Sequence, residues 1–414
     1  MAIALSGKVT DEIYDQQLST IPQNVIFCNK CVVSNQRPRI EFDDNGVCSA
    51  CSYAEEKHNV INWDDREHEL QLLLDAHRSK NGSFDVVVPG SGGKDSSIVT
   101  HKLKHEYGMH PLSVTWAPFI YTDIGFRNYF NFIQSGFTNI LMYPDGKLHR
   151  KLTLLSFDLC GDAWDPFAYG QQSWAFQVSA KFRIPLIMFG ENGDVEYGGT
   201  TRNKNKHGEP IDEWSELYYR GRSINWLVEQ GRKRGLFEVD DKTLEMYNPP
   251  DRKILDDIGC QMHWWSYYKP WLPQEHYYYA VGHTGFSANY QRSEGTYSKY
   301  ASLDDRLDGF HFYLAYMKFG ICRATSDAAH EVRDGHLTRD EAVALVKRYD
   351  GEFPVKYFSD FLEYLDITEE DFWYVCDKFR SCRPHLWRKQ GDSWVLDHTV
   401  WGEQRIWRKG ELIK

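Results

Sequence analysis

Short apolar stretches alternate with longer amphipathic segments between residues 84 and 190. Each short stretch is rich in Val, Ile and Leu, which is typical of buried β-strands, and each longer segment places apolar residues at helical spacing. The predicted strands are 84–90, 111–116, 139–144 and 185–190, and the predicted helices between them are 94–108, 125–137, 147–160 and 171–183. Strands that alternate with helices form βαβ units, so we expect an α/β fold around a parallel sheet.

The rest of the chain has a different pattern. Residues 1–25 are polar and irregular, which predicts a loosely held arm, and residues 55–80 predict one long helix. Beyond about residue 240 the chain is predicted to be mostly helical, with aromatic clusters such as "HWWSYYKPW" at 263–271. Such clusters stack against ligands in some proteins but belong to the core in most. The predicted units are an arm (1–25), a four-cysteine lobe (26–56), a sheet domain (57–235) and a helical, aromatic-rich substrate or partner region (236–414).

Composition and net charge argue against several classes of protein. The 414-residue chain is 42% hydrophobic and carries a formal net charge of −11. This acidic balance argues against broad binding to nucleic acids or to anionic membranes. No apolar stretch approaches the length of a membrane span, and the N-terminus has no secretory signal pattern. We therefore expect a cytoplasmic protein, in which thiols stay reduced.

Four of the nine cysteines form two CxxC pairs within "CNKCVVSNQRPRIEFDDNGVCSAC". A hairpin that turns at Asn45-Gly46 would bring the two pairs together. Four thiolates complete a tetrahedral zinc site and leave no open position, so we expect a structural zinc. A catalytic zinc and an iron–sulfur cluster are the alternatives. The predicted ligands are Cys28, Cys31, Cys48 and Cys51.

The first predicted strand runs into "PGSGGKDSS", a turn suited to an anion. Glycines let the backbone approach phosphate oxygens, and the following helix N-terminus attracts negative charge. Val88 and Asp95 exclude a Walker A loop, and the glycine spacing excludes a dinucleotide-binding fingerprint. The predicted phosphate-binding site consists of Pro89, Gly90, Ser91, Gly92, Gly93, Lys94, Asp95 and Ser96, with Thr115 and Trp116 at the end of the second strand.

A second motif, "GENGDVEYGG" at 190–199, follows the fourth predicted strand. Ligands of open parallel sheets bind beyond the carboxyl ends of the strands, so Gly190, Glu191 and Asp194 are expected near the first turn. In the first turn, Asp95 can face a phosphate only when a cation lies between them.

The SGGKDS sequence at 91–96 resembles the motif of the PP-loop ATP pyrophosphatases, and residues 190–199 resemble the "GEGADELFGG" of asparagine synthetases. This resemblance implies cleavage of ATP between its α and β phosphates, with AMP left on a substrate oxygen. It assigns catalytic roles to Lys94, Asp95, Glu191 and Asp194, with magnesium at Asp95 and Asp194. Val195 and Glu196 depart from the pattern, which leaves a role for Glu196 open.

A cysteine-rich lobe before such a domain, together with residues 299–335, resembles the N-acetyl sugar amidotransferases of surface-polysaccharide biosynthesis, including that of lipopolysaccharide and O-antigen. The resemblance implies that the acetamido oxygen of an N-acetyl sugar is adenylylated and that ammonia then displaces AMP to give an acetamidino group. ATP, Mg²⁺ and structural Zn²⁺ are the implied cofactors. Lys299 and Arg323 are candidates to neutralise a phosphate or carboxylate of the substrate, although salt-bridged roles suit them as well.

The ammonia requires a source. A glutaminase needs an activated cysteine at the mature N-terminus or in a GxCxG turn, and neither pattern is present, since Cys160 lies in "FDLCGD". We therefore expect a separate glutaminase and ammonia-channel pair, similar to the glutamine amidotransferase of histidine biosynthesis, as the resemblance also implies.

Two other functions fit parts of the sequence. A PP-loop tRNA thiolase also adenylylates a carbonyl, but thiolases generally use catalytic cysteines near the nucleotide and a basic RNA-binding face. A nucleotide sensor of the same fold would not release pyrophosphate. The sequence does not distinguish a nucleotide-linked sugar from a free sugar acid.

Overall fold

A five-stranded parallel sheet lies at the centre of the computed structural model, which describes residues 6–208, 211–213 and 222–408. The spatial strand order is β3-β2-β1-β4-β5. The strands are β1 Val86–Pro89, β2 Pro111–Trp116, β3 Thr138–Met142, β4 Leu186–Phe189 and β5 Gln261–Trp264. The predicted α/β fold with a parallel sheet is confirmed, and β5 is a strand that the sequence pattern did not predict.

Helices connect these strands and form most of the C-terminal part of the described chain. The α-helices are α1 Gln17–Thr20, α2 Ser49–Asn59, α3 Trp63–His77, α4 Lys94–His105, α5 Asp123–Gln134, α6 Gly146–Cys160, α7 Asp165–Phe182, α8 Gly193–Tyr197, α9 Ile224–Lys233, α10 Asp241–Leu244, α11 Arg252–Asp257, α12 Trp265–Tyr268, α13 Pro273–Thr284, α14 Asp308–Phe319, α15 Arg323–Arg333, α16 Arg339–Tyr349, α17 Phe358–Leu365 and α18 Glu369–Ser381. Short 3₁₀ turns lie at Ile211–Glu213, Glu245–Tyr247 and Val355–Tyr357.

The central strand β1 is buried on both faces. It pairs in parallel with β2 on one side and with β4 on the other. Val87 packs in the core that includes α6 and α7, whereas Val86 and Val88 pack in the core that includes α3 and α4. Because successive side chains of a strand point to opposite faces, a strand covered on both sides is apolar throughout, as "VVV" is.

Two helices begin at other residues than the sequence pattern predicted. The single helix expected over 55–80 is two helices, because Asn62 begins α3 and accepts hydrogen bonds from the backbone N–H groups of Asp64 at 3.1 Å and Asp65 at 3.4 Å. The helix expected from residue 171 begins earlier, at Asp165, with Pro166 in its first turn.

The C-terminal region is helical, as expected, but it also contains a small sheet. Helices α14, α17 and α18 share an apolar core with strands β6 Trp387–Gln390 and β7 Ser393–Leu396. Together with β8 Arg405–Arg408 these strands form an antiparallel three-stranded sheet in the order β6-β7-β8. The aromatic cluster at 263–271 is mainly core, since Trp265, Tyr268 and Trp271 are buried.

Residues 6–25 of the N-terminal arm are firmly attached, so the expectation of a loosely held arm was wrong for them. The backbone N–H of Tyr14 donates to the carbonyl of Leu159 at 2.8 Å. The ammonium of Lys318 donates to the buried carboxylate of Asp15 at 2.7 Å. Buried charge pairs of this kind hold a polar segment that carries no apolar pattern of its own.

The segment before α14 is held against the carboxyl edge of the parallel sheet. The N–H of Phe119 donates to Asp305 at 2.6 Å, and the N–H of Thr122 donates to the carbonyl of Asp304 at 3.1 Å. Gly125 on α5 permits this approach, because a Cβ atom there would lie 2.4 Å from the Cα of Asp304. No helix in the described part of the chain combines the length and apolarity that a membrane crossing requires.

Replacing Gly125 with alanine is expected to push this segment away from the sheet. We expect Gly125→Ala to lower the free energy of unfolding by about 1–3 kcal/mol, the usual effect of overpacking. Gly146→Ala is the control, because a Cβ at Gly146 meets no atom within 4 Å. Urea unfolding measures both variants, and equal stability of the two would contradict the close approach at Asp304.

Candidate active site

The turn after β1 is held tightly in place. We call residues 90–93 the glycine turn. Gly92 has a φ of +80°, and a Cβ there would lie 2.5 Å from the Cα of Tyr129. The N–H of Gly90 donates to the carbonyl of Val114 at 2.8 Å, and the hydroxyl of Thr115 donates to the carbonyl of Gly90. The turn therefore presents the N-terminus of α4, with its unpaired backbone N–H groups, to the edge of the sheet.

A cavity of about 480 Å³ opens at this edge. The glycine turn forms part of one wall, and the ends of β2 and β4 form others. Most of the site residues predicted from the sequence line it. They are Pro89, Gly90, Ser91, Gly93, Asp95, Ser96, Thr115, Trp116, Gly190, Glu191 and Arg323.

Four predicted residues do not line the cavity. Gly92 shapes the turn beside it, and Lys94 forms an ion pair with Asp95. Asp194 points toward the four-cysteine lobe, where its carboxylate accepts from Arg39 at 2.8 Å. Lys299 is exposed on the surface.

Asp95 is held as a carboxylate by two basic groups. It pairs with Lys94, and its other oxygen lies 2.9 Å from Nδ1 of His276. Burial alone would favour the neutral carboxyl, but Lys94 and His276 outweigh it and hold the pKa of Asp95 below its usual range. His276 is itself buried, with its ring 4.4 Å from that of Trp271. This histidine was not predicted, because it lies 181 residues from Asp95 in the sequence.

Glu191 has the opposite electrostatic environment. Burial, and then the nearby charge of Asp95, raise the pKa of Glu191 to about 7. A carboxyl group with a pKa near neutrality exchanges protons readily at physiological pH. Beside the glycine turn, the cavity therefore combines a fixed carboxylate, Asp95, with a carboxyl group suited to proton transfer, Glu191.

The far wall of the cavity comes from the C-terminal part of the chain. We call Ser302, Asp304, Asp305, Asp308 and Arg323 the C-terminal wall. Arg323 donates to Asp327 at 2.9 Å and to the hydroxyl of Ser302 at 3.3 Å. Burial opposes its charge, but Asp327 prevails and raises the pKa of Arg323, so the cation is fixed.

The three aspartates of this wall differ in their contacts. Asp305 accepts backbone N–H groups from Phe119 and Leu307, which is a structural role. Burial, and then the charge of Asp308, raise the pKa of Asp304. The acidic run "LDDRLD" at 303–308 could have identified these aspartates, but the sequence prediction placed none of them in the site.

Aromatic rings form the deep end of the cavity. Trp116 reaches it because Gly170 on α7 leaves room, since a Cβ there would lie 2.1 Å from Cε2 of the indole. Among the described residues, the buried Nε1 of Trp116 and Oε1 of Gln172 have no hydrogen-bond partner. Unpaired buried polar atoms between flat rings suit a planar ligand with a polar edge. The aromatic lining consists of Trp116, Trp164, Phe167, Trp174, Phe189 and Trp264.

The four predicted cysteine ligands are buried together. Their sulfur atoms lie within 4.8 Å of one another, with 3.8 Å between Cys28 and Cys51 and 3.8 Å between Cys31 and Cys48. Four thiolates about 2.3 Å from a tetrahedral zinc would be about 3.8 Å apart. The cluster therefore fits a closed zinc site, and the expected turn is present at Gly46, which has a φ of +71°.

The four-cysteine lobe also binds the second motif. We call residues 190–199 the acidic loop. Arg39 pairs with Asp194, Arg37 donates to the carbonyl of Gly198 at 2.6 Å, and the hydroxyl of Ser49 donates to the carbonyl of Gly199 at 3.0 Å. The lobe is thus packed directly against a loop that lines the cavity.

Comparison with known proteins gives a partial match. Residues 294–400 match the family model "LPS biosynthesis protein WbpG-like, C-terminal domain". This stretch includes the whole C-terminal wall. Among solved structures, the chain is similar to the NH3-dependent NAD synthetase from Campylobacter jejuni subsp. jejuni NCTC 11168 in complex with the nitrate ion. That likeness has 14% identity and a TM-score of 0.27, and it covers 48% of this chain and 92% of the synthetase. The search of curated proteins finds no match.

Loss of one thiolate is expected to open the metal site. We expect Cys51→Ser to lose most of its bound zinc, because a hydroxyl is a poor zinc ligand, whereas Cys260→Ser should keep about one zinc per chain. Metal analysis of the purified proteins measures this. Zinc retained by Cys51→Ser, or an iron–sulfur absorption in the unaltered protein, would contradict the assignment.

Glu191 is expected to make stability depend on pH. Because its pKa is raised, the folded protein keeps a proton that the unfolded chain loses between about pH 4.5 and pH 7, so stability falls as the pH rises through this window. Glu191→Gln removes this loss. We expect its melting temperature to rise relative to that of the unaltered protein from about pH 5 to about pH 7.5.

Glu229→Gln is the control for this measurement, because Glu229 is on the surface, where it pairs with Lys233. Its melting temperature should follow that of the unaltered protein across the same range. A difference for Glu191→Gln that does not change with pH would mean that the carboxyl group titrates normally.

Proposed function

We propose that the protein is an ATP-dependent amidotransferase that converts the acetamido group of an N-acetyl sugar into an acetamidino group during lipopolysaccharide biosynthesis. The observation that carries the proposal is the shared cavity. One wall includes a glycine turn that leads into a helix N-terminus, and another belongs to the segment that matches the WbpG-like C-terminal domain.

The first step would activate the amide. The acetamido oxygen attacks the α-phosphorus of ATP, the bond from phosphorus to the α–β bridging oxygen breaks, and pyrophosphate leaves. Charge accumulates on the departing phosphates, where the N–H groups of α4, the hydroxyls of Ser91 and Ser96, and Lys94 would stabilise it. Lys94 would exchange its pairing with Asp95 for a phosphate oxygen.

Magnesium fits the chemistry of this end of the cavity, which offers carboxylate oxygens, its preferred protein ligands. Asp95 would hold the ion, since it stays ionised and lines the cavity. Bound magnesium would neutralise phosphate charge. Asp194, the second predicted ligand, would reach the ion only after release from Arg39.

The second step would form the amidine. The nitrogen of ammonia bonds to the activated carbon, the carbon–oxygen bond to AMP breaks, and AMP departs with the former amide oxygen. The attacking nitrogen loses a proton as AMP leaves. Glu191 would accept this proton, because its pKa of about 7 leaves much of it ionised at neutral pH.

Arg323 would anchor the sugar. It is the fixed cation of the C-terminal wall, and a phosphate or carboxylate on the sugar would match it. Lys299 would contact only a part of the substrate that extends beyond the cavity. The aromatic end, with its unpaired Trp116 and Gln172 atoms, would receive the adenine ring.

A separate glutaminase would supply the ammonia. Burial raises the pKa of the Cys160 thiol, and it raises those of Cys322 and Cys376 to about 12. Cys260 and Cys382, which are partly buried, also have raised pKa values. A glutaminase nucleophile requires an accessible thiolate, so none of these cysteines suits that role. A protein that uses ATP and reduced thiolate ligands would work in the cytoplasm.

Mass spectrometry tests the proposed reaction. Incubation with ATP, magnesium, ammonium and a set of free and nucleotide-linked N-acetyl sugars should yield AMP, pyrophosphate and a sugar in which NH replaces one oxygen. We expect Lys94→Met to slow AMP formation by about 10²–10³-fold, because a charge that stabilises the departing phosphates is lost.

Lys102→Met is the matched control, since it lies on the same helix and pairs with Glu106 outside the cavity. It should retain the unaltered rate. No change in any N-acetyl sugar, with AMP formed on another acceptor such as RNA, would overturn the proposal.

A further inference from the structure

A buried ammonium lies behind the cavity, between the four-cysteine lobe and three other segments. Lys57 is on α2, the helix that carries Cys51, and its side chain is only 2% exposed. It donates to Glu196 at 3.1 Å, to the carbonyl of Trp271 at 3.0 Å and to Asp334 at 3.2 Å. An ammonium has three donors, and all three are used.

Each partner of Lys57 belongs to a segment that either lines the cavity or contacts a residue that does. Glu196 lies in the acidic loop, five residues after Glu191. Trp271 lies two residues before Pro273, the first residue of α13. This helix carries His276, whose ring contacts the Trp271 ring. Through His276 this segment reaches Asp95.

The third segment is α15. This helix begins at Arg323, and Asp334 follows its last residue. Nε2 of His330 lies 3.2 Å from the other carboxylate oxygen of Asp334, so basic groups flank this carboxylate on both sides. Lys57 therefore contacts the segments that place Glu191, His276 and Arg323, although it does not line the cavity itself.

We infer that Lys57 is a positioning residue of the active site, which fixes the acidic loop, the start of α13 and the end of α15 relative to one another. The lobe also holds the acidic loop through three further contacts, from Arg37, Arg39 and Ser49. The four-cysteine lobe is then a support for the reacting groups as well as a folding unit. Only the test that measures the rate of AMP formation rests on the proposed function.

This arrangement gives Glu196 a structural role. It departs from the motif that the acidic loop resembles, and one of its carboxylate oxygens is bound by Lys57 while Arg333 donates to its backbone carbonyl at 3.0 Å. A buried carboxylate is stable only when it is paired, so Glu196 and Lys57 depend on each other.

Lys57→Met tests the inference, because methionine keeps most of the length and apolar volume of lysine without its donors. Hydrogen exchange followed by mass spectrometry should show faster exchange in peptides that cover 190–199 and 271–276. The rate of AMP formation per folded molecule should fall by about 10- to 100-fold, the range expected for misplaced catalytic groups. Lys233→Met, at an exposed ion pair with Glu229, should change neither.

Lys57→Met/Glu196→Gln separates positioning from stability. The double variant leaves no unpaired carboxylate at position 196, and Asp334 still has His330 at 3.2 Å, so the double variant should melt closer to the unaltered protein than Lys57→Met does. We expect its exchange in 190–199 to stay fast and its rate to stay low. If Lys57→Met alone does not fold, the same two measurements can be made on the double variant.

Two results would overturn the inference: unchanged exchange in both peptides with an unchanged rate per folded molecule, or recovery of both quantities in the double variant. If the unaltered protein forms no AMP with any N-acetyl sugar, the proposed function fails, and the exchange data still decide the role of Lys57.

Discussion

The position of β1 between β2 and β4 is the constraint on which the site depends. In a parallel sheet the carboxyl ends of adjacent strands lie at one edge, so Pro89, Trp116 and Phe189 end close together. The turn after β1 must then reverse within a few residues, against α5, and only a glycine fits at 92. The remaining walls are added around this edge by segments that are far away in the sequence.

The cavity has an excess of negative charge, which would suit the proposed reaction, because that reaction uses magnesium and ammonia and yields a basic amidine. The carboxyl groups that line it are Asp95, Glu191, Asp304, Asp305 and Asp308. Three of them have different surroundings, which limits their mutual repulsion. Asp95 has Lys94 and His276, Asp305 has backbone N–H groups, and Glu191 takes up a proton more readily than a solvated carboxyl group. Arg323 is the fixed positive charge that faces them.

Local pattern predicted much of this structure. Strands β1–β4, their connecting helices and the four-cysteine cluster follow from hydrophobic periodicity and spacing, and most of the predicted ATP-site residues line one cavity. Strand β5 was missed because "QMHW" is short and adjoins an aromatic helical pattern. His276 and the aspartates of the C-terminal wall were not identified because only tertiary folding brings them to the glycine turn. In the sequence, Lys299 and Arg323 were equivalent candidates to neutralise a phosphate or carboxylate of the substrate. In the structure, Lys299 is exposed, whereas Arg323 lines the cavity.

The attachment of the N-terminal arm has a consequence for folding. Asp15 meets Lys318 across 303 positions of sequence, and the backbone N–H of Ser6 donates to Asp371 across 365. Contacts between segments so far apart form late, because loop-closure entropy is lost before their interactions are gained. The parallel sheet can form from contacts of shorter range, whereas the arm closes onto α14 and α18 only after those helices have folded. We expect this segment to be among the last parts of the described chain to reach its native contacts.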